Sequence, residues 1–360
     1  MANKRWFQTG VAIIFFLLII LLFREIKDVF KPVFIFIQTL FFPLLAAGVL
    51  FYLTRPVVQF LERKKVPRPL AILSVFLLIF ITLWILFNII GPVLNKQVER
   101  LVDNVPQMVR TVEGGINYVM ENRERLPEFA TQTLEQASGK VEDWAVSLGN
   151  WLITFVQGLF QFVFLLVLVP FFLFYMLKDR EKFAPFVSRF FSNDQRAWIQ
   201  KTLKDIDNTL HAYVVGQLTV SFFVGVMLFI GYLIIGLDYS LILAFFGMIT
   251  NVIPFLGPYI AVVPALFVAW VQDPQMVLYV AIIMLVAQQI ESNLISPNVM
   301  GKALDIHPLT VISLILAAGN IAGVLGVILA IPFYAVVKTI VVNLYRKKSK
   351  IKEAVNEEID

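Results

Sequence analysis

The chain has 360 residues, of which 59% are apolar and 15% charged, with a mean hydropathy of +0.81. A soluble domain carries about 45–50% apolar and roughly 25% charged residues, and the excess exceeds what one or two ordinary cores hide, so a water-soluble protein is excluded. With no cysteine and two histidines, disulfide frameworks, iron–sulfur clusters, thiol nucleophiles and ordinary structural zinc sites are excluded too, and the net charge of +5 has to be mapped onto membrane topology before it says anything about partners.

A helix needs about 20 apolar residues to cross roughly 30 Å of hydrocarbon. Four stretches in the first half meet that need: Trp6 to Phe23, Val29 to Leu53, Leu70 to Leu94 and Trp151 to Leu177. The first follows Lys4-Arg5 but is succeeded by Arg24-Glu25-Ile26-Lys27-Asp28 without a small-residue cleavage pattern, which reads as a retained span rather than a secretory signal. The basic residues then give an orientation. Five cations lie in Arg55 to Pro69, seven in Lys178 to Asp207, five from Arg346 onward, and two at Lys4-Arg5. All four clusters fall on one side if the spans alternate, and that side is the cytoplasm. Both termini are therefore expected on the cytoplasmic side.

The opposite side receives Asn95 to Asn150, with nine acids against six bases and punctuation at Pro106, Gly114-Gly115, Pro127 and Gly139. Between the breaks, Leu101, Val105, Met108, Val109, Val112, Ile116, Val119 and Met120 recur at helical spacing, which predicts amphipathic helices forming a small outer cap. A solute-binding domain is the alternative, with no residues that speak for it.

From Thr209 the pattern changes. Thr209 to Ile235 is a clean span carrying Gly216-Gln217; two long runs follow, Ser240 to Val271 and Leu309 to Tyr345, separated by the shorter span Gln275 to Ile290. Each long run would extend about 48 Å or more as one helix. Each is interrupted near its middle, the first at Asn251 to Pro258, with Pro254, Gly257 and Pro258, and the second at Gly319 to Gly326, with Asn320 and Gly323. The runs also share words: Leu241-Ile242-Leu243-Ala244 with Leu314-Ile315-Leu316-Ala317, Leu256-Gly257 before Pro264 with Leu325-Gly326 before Pro332, and Leu237-Asp238 with Leu304-Asp305. Two topologies fit. Either each run is a kinked span, giving about eight, or each is a re-entrant hairpin, giving six spans and an inverted repeat whose broken helices meet near the bilayer centre.

The fold expected is thus an all-α integral membrane protein. Its parts are three scaffold spans (1–94), the outer helical segment (95–150), a fourth span (151–177), a charged cytoplasmic connection (178–208), a transport unit (209–345) and a charged tail (346–360). Irregular backbone at membrane depth is tolerated only inside protein or against a wet cavity, and freed carbonyls at half-helix ends are used by secondary transporters to hold ions or polar solutes. The alternative is that proline and glycine merely shape packing.

Few charges remain beyond Asp207. Glu291 closes a span in Gln288-Gln289-Ile290-Glu291-Ser292-Asn293, and its spacing puts it on one helical face with Gln288 and Ser292. It is a candidate for holding a cation, a proton or a hydroxylated solute, or else an interfacial cap for a turn at Ser296-Pro297-Asn298. Asp238 and Asp305 read as carboxylates in turns before helices, His307 before Pro308 as a turn residue at a helix start, and His211 has no partner nearby in sequence. Phosphate-loop and HExxH motifs are absent, so no enzymatic activity is expected.

These strings resemble the autoinducer-2 exporter family of bacterial membrane proteins: Pro254-Phe255-Leu256-Gly257-Pro258, Gln288-x-x-Glu291-Ser292-Asn293-Leu294-Ile295-Ser296-Pro297-Asn298-Val299-Met300-Gly301-Lys302, and His307-Pro308, with Leu177-Lys178-Asp179-Arg180 and Gly216-Gln217. The resemblance implies a polytopic transporter, homo-oligomeric and in the family pentameric, that exports a furanosyl quorum-sensing molecule or exchanges sodium or lithium for protons. The interruptions, the Glu291 face and these motifs together make Gln217, Asn251, Pro254, Gly257, Pro258, Gln288, Glu291, Asn293, Asn320 and Gly323 candidates for binding solute or ion, and Pro297, Gly301, His307 and Pro308 hinge or structural positions. The expected partners are the lipid bilayer and a small polar solute or monovalent cation, with no nucleic acid; no cofactor is expected beyond a coupling proton or sodium ion. A membrane scaffold or sensor acting through residues 95–150 is the reading from another class.

Overall fold

The computed structural model describes residues 5–25, 27–121, 168–300 and 306–357, with Ser147, Thr154 and Gly158 between them. Most of the outer segment, the first part of the fourth span, and Gly301 to Asp305 lie outside the described residues. Every described element is helical. Five stretches are long and apolar enough to cross a membrane by length and composition: Val29–Arg63, Arg68–Leu101, Gln195–Ile234, Pro274–Met300 and Pro308–Lys348.

Helix α1 (Arg5–Glu25) is followed by α2 (Lys27–Arg63), which runs through Pro32, Pro43 and Pro56. Helix α3 (Arg68–Ile85) starts on Pro69 in its first turn, where the missing N–H costs nothing. Its small inner residues Ala71 and Val75 pack with Ile72 against Ala47, Phe51 and Val58 of α2 and against Val169, Leu173 and Leu177 of α5 (Leu168–Ser188). Its other face carries Leu73, Leu77, Phe80 and Trp84, each more than half exposed. A stripe of that size on a water-soluble protein would be an aggregation face; on this chain it is the face for lipid.

A π-helical segment (Leu86–Ile90) joins α3 to α4 (Gly91–Glu121). Here the sequence-based expectation fails: Pro106 and Gly114-Gly115 do not interrupt the helix. The amphipathic face overrides them, because Leu94, Val98, Leu101 and Met108 are buried in the large core that α4 shares with the following helices, and burial of several apolar side chains outweighs one proline's lost bond.

Helix α5 continues past Lys178, and α6 (Asn193–Ile234) begins well before Thr209, so the amphipathic, charged connection is mostly helix. Two further helices follow α6, α7 (Ser240–Thr250) and α8 (Leu256–Gln272). Leu228 of α6 meets Gly247, and Met248 meets Gly225, so α6 and α7 run antiparallel. Gly247 faces Ala261, while Gly257 lies against the backbone of Thr250 and Asn251 so closely that any Cβ there would collide. Helices α7 and α8 therefore fold back on one another. Both ends of this hairpin sit beside the end of α6: Gln272 donates from Nε2 to Gly236 O at 2.8 Å and accepts at Oε1 from the Asp238 N–H at 2.8 Å.

Asp273 caps α9 (Pro274–Ile290) by accepting from Gln275 N at 2.9 Å. A π-helical segment (Glu291–Ile295) then leads directly into α10 (Ser296–Met300). The turn expected at Ser296-Pro297-Asn298 is thus helical, since the wider i→i+5 turn leaves room for Pro297 without ending the helix.

Helix α11 (Pro308–Glu357) is broken at Ala322 (φ −133°) and Gly323 (φ +58°). Its halves fold back too: a Cβ on Gly326 would strike the backbone of Ala318, and one on Gly319 would sit 3.1 Å from Val327 Cγ2. Val311, Ile315, Ala330 and Ile331 form one core with Tyr213 of α6, and Ile253 and Leu256 from the first hairpin's tip pack against it. Further along, Asn343 donates to Asp205 Oδ2 at 2.9 Å and Thr209 meets Thr339 at 3.3 Å, which ties the end of α11 to the start of α6.

Candidate functional site

The tip of the first hairpin is where the chain departs most from regular geometry. Helix α7 ends at Asn251, whose N–H donates to Gly247 O, and three residues of turn lead to Phe255, held at φ +65°. A non-glycine residue in that region costs on the order of 1–3 kcal/mol. Pro254 in the turn has no N–H to leave unsatisfied, its carbonyl accepts from Leu256 N at 2.8 Å, and Gly257 N reaches Ile253 O at 2.9 Å. Pro258 falls in the first turn of α8, where proline is tolerated. Gly257 lets α8 start flush against the end of α7.

This tip is pinned from α6. Gln217, 5% exposed, donates from Nε2 to Asn251 O at 2.7 Å. The neighbouring Gly216 makes room for Met300 of α10, which would collide with a Cβ there; the Gly-Gln pair thus lets one helix approach while its neighbour satisfies a freed carbonyl. Asn251 is 2% exposed. Its side-chain amide faces the Glu291 carboxyl, yet Nδ2 closes no hydrogen bond. Gln288 Nε2 donates to Glu291 Oε2 at 3.0 Å. Glu291 opens the π-helical segment, and such segments occur often at functional sites because they re-aim side chains out of helical register.

Four of the expected residues, Gln217, Asn251, Gln288 and Glu291, therefore converge from α6, α7 and α9 although they span 75 positions of sequence. Ser221, on the same helix as Gln217, was not anticipated. It lies one turn along α6 from Gln217 and its Oγ is buried without a partner. A hydroxyl four residues after the amide, inside an apolar span, was the available signal. Buried polar atoms left unpaired cost roughly 1–3 kcal/mol each, and Asn251 Nδ2 is one such atom among the converging residues.

Other expected residues lie elsewhere. Asn293 is exposed and donates to Gln289 Oε1 at 2.8 Å on its own helix. Asn320 is exposed and donates to Leu316 O at 3.0 Å; Gly323 supplies the positive φ of the second break but reaches no part of the cluster. Pro297 is exposed in α10. His307 accepts at Nδ1 from Leu309 N at 3.2 Å and thereby caps α11, with Pro308 as its first residue. Gly301 lies outside the described residues. His211 does find a partner, the Tyr52 ring at 5.8 Å, next to the ion pair of Arg55 and Asp207 at 2.7 Å.

Asp238 lies in the turn before α7, as expected, and a residue far away in sequence acts at the same helix start. Gln97 of α4 accepts at Oε1 from Ile242 N at 3.0 Å, satisfying an orphan donor at the start of α7. Asn104 donates to Tyr239 Oη at 2.7 Å, and that hydroxyl donates to Arg100 O at 3.3 Å. Helix α4 thus clasps the end of the first hairpin that lies away from its tip.

Comparison with known proteins agrees with this architecture. The family described as AI-2E family transporter matches residues 11–346. The chain is 38% identical to "Putative transport protein YueF" of Bacillus subtilis (strain 168) over 345 residues, covering 93% of this chain and 92% of that protein. It is 31% identical to the like-named YrrI of the same organism, over 93% of this chain and 95% of that protein. To "Putative permease PerM" of Escherichia coli (strain K12) the identity is 25%, over 85% and 88% of the two chains. A multi-pass helical architecture and a match over nearly the whole length have the same consequence: this chain is a membrane transport protein and belongs to the AI-2E transporter family.

Proposed function

We propose that the protein is a secondary exporter of a small polar solute, driven by a proton or ion gradient, and that solute binds where Asn251, Glu291, Gln288 and Gln217 meet. The observation that carries this reading is Asn251: a side-chain amide buried to 2% exposure, aimed at a carboxylate and left without a hydrogen bond. A guest that accepts from Asn251 Nδ2 and donates to Glu291 completes both groups at once. Family resemblance makes a furanosyl signalling molecule of the autoinducer-2 kind the first solute to test.

In this reading the two folded-back runs are re-entrant hairpins. The first enters from the outside between α6 and α9, and the second from the cytoplasm. The unit from Thr209 to Tyr345 moves against the first four spans in an elevator-like step and exposes the site to each side in turn. Both termini are cytoplasmic, and the chain works as a homo-oligomer in the cytoplasmic membrane. Inverted vesicles containing the protein accumulate labelled signalling molecule when energised, and Glu291→Gln lowers the initial rate by about tenfold or more, the loss expected when a charge-assisted contact to solute is removed. Undiminished uptake in that variant removes Glu291 from the site.

A second reading is favoured by Glu291 itself, the one carboxylate among the four converging residues: a sodium/proton antiporter in which that group is alternately protonated and sodium-bound. It predicts sodium-induced proton release from proteoliposomes, abolished by Glu291→Gln, and no effect of the signalling molecule on that release. A scaffold or sensor has no need of the unpaired Asn251 amide.

A further inference from the structure

The cytoplasmic end of the scaffold carries an arrangement that transport does not use. The turn between α2 and α3 presents Arg63, Lys64 and Lys65, all exposed, with Lys65 at φ +65°. The acids that would neutralise them are already engaged: Glu62 pairs with Arg68 at 3.5 Å and Arg180 at 3.4 Å, and Glu181 pairs with the same two arginines at 3.4 Å. Arg68 also donates to Leu177 O through Nη2 at 2.9 Å, which locks the turn beside Lys178. In the orientation that satisfies both partners, the Gln59 amide oxygen accepts from Arg55 Nε at 3.3 Å and Arg180 Nη1 at 3.0 Å, stiffening the same base.

Two of the surrounding cations lie over aromatic rings. Lys64 Nζ stands 4.6 Å from the Phe60 centroid, and Lys178 Nζ 5.6 Å from that of Phe174 and 6.0 Å from that of Tyr175. Phe60 and Tyr175 are themselves largely exposed. Rings at the border of an apolar span sit at headgroup depth, with cations reaching from them to the polar layer. We infer that Arg63, Lys64, Lys65 and Lys178 form a docking surface for anionic phospholipid headgroups of the inner leaflet, with Phe60 and Tyr175 seated against the glycerol and upper acyl region. The occupant follows from the charge: Glu62 and Glu181 are engaged by Arg68 and Arg180, and Asp179, beside Lys178, by Lys182 at 2.7 Å, so cations outnumber acids on a face that fits a phosphodiester, and its position at the base of α2, α3 and α5 puts that phosphodiester in the bilayer.

The test uses the full chain purified in neutral detergent and native mass spectrometry with equal amounts of phosphatidylglycerol and phosphatidylcholine. Phosphatidylglycerol is retained preferentially. Changing Arg63, Lys64 and Lys65 together to Gln cuts its retention by roughly fivefold per cation in direct contact, leaves phosphatidylcholine unchanged and leaves the melting temperature in lipid-free detergent unaltered. Lys64→Arg with Lys65→Arg keeps the preference. A control that removes the same charge at the other end of the bundle, Lys96, Arg100 and Arg110 to Gln, has no effect. Equal losses in the two triple variants would show that net charge alone sets the preference and would overturn the assignment, as would displacement of the lipid by millimolar inorganic phosphate. The readout is independent of transport, so it stands or falls separately from the exporter reading.

Discussion

The two interrupted runs begin from similar words and end in different surroundings. Each breaks, folds back, and places a glycine, Gly257 or Gly326, flush against the backbone of the preceding half. The tip of the first is enclosed: Asn251 is buried, tied to Gln217 and aimed at Glu291. The tip of the second is open, with Ile321 85% and Val324 72% exposed and Asn320 bonded only to its own helix. A shared backbone device thus stands in two surroundings, and in the proposed function the polar neighbours make the first tip the binding one. Among the described residues, Glu291 faces Asn251 of the first.

The largest effect tests what the hairpins share. Gly257→Ala and Gly326→Ala each thrust a methyl into backbone rather than into a flexible side chain, so both should destabilise by about 3 kcal/mol, the upper end for overpacking. Melting temperature and the yield of monodisperse protein measure this, with Gly114→Ala, which meets nothing within 4 Å, unchanged. A large loss at one glycine only would break the correspondence.

The next effect tests what separates them. Glu291→Gln should lower transport by about tenfold with little change in melting temperature, whereas Asn320→Ala should change it by less than about twofold. Equal losses would mean that the open tip closes over the solute.

Smaller effects lie where the hairpins meet the rest of the molecule. Asp207→Arg places like charges beside Arg55 and should cost about 1 kcal/mol, the pair being partly exposed. Arg55→Asp combined with Asp207→Arg should recover most of it, read as melting temperature. Gln97→Ala leaves the Ile242 N–H at the start of α7 without its acceptor and should cost roughly 0.5–1 kcal/mol, seen as faster amide exchange at Ile242 with the second hairpin unaffected.

Much of this was legible in the sequence because lipid imposes simple rules. Apolar length marked the helices, and the prolines, glycines and amides at Asn251 to Pro258 and Gly319 to Gly326 marked both breaks. The i, i+3 spacing of Gln288 and Glu291 anticipated their hydrogen bond. What escaped was pairing between distant segments. Nothing local says that Gln217 will satisfy the carbonyl of Asn251, that Gln97 will accept from a donor in the first turn of α7, or that Gln272 will bridge Gly236 and Asp238. Local breaker residues also misled where packing was stronger: Pro106 lies within a helix whose apolar face is buried, and Pro297 follows a π-helical turn that accommodates it.

The central claim is that Asn251 and Glu291 act on one solute. Its most direct test is a double-mutant cycle on the initial rate of energised uptake into inverted vesicles, using Asn251→Ala, Glu291→Gln and their combination. Asn251→Ala spares the backbone carbonyl that Gln217 holds, so it removes only the side-chain amide. The account predicts strong non-additivity, the double variant being no slower than Glu291→Gln alone. Independent, additive losses, or full activity with Asn251→Ala, would contradict it.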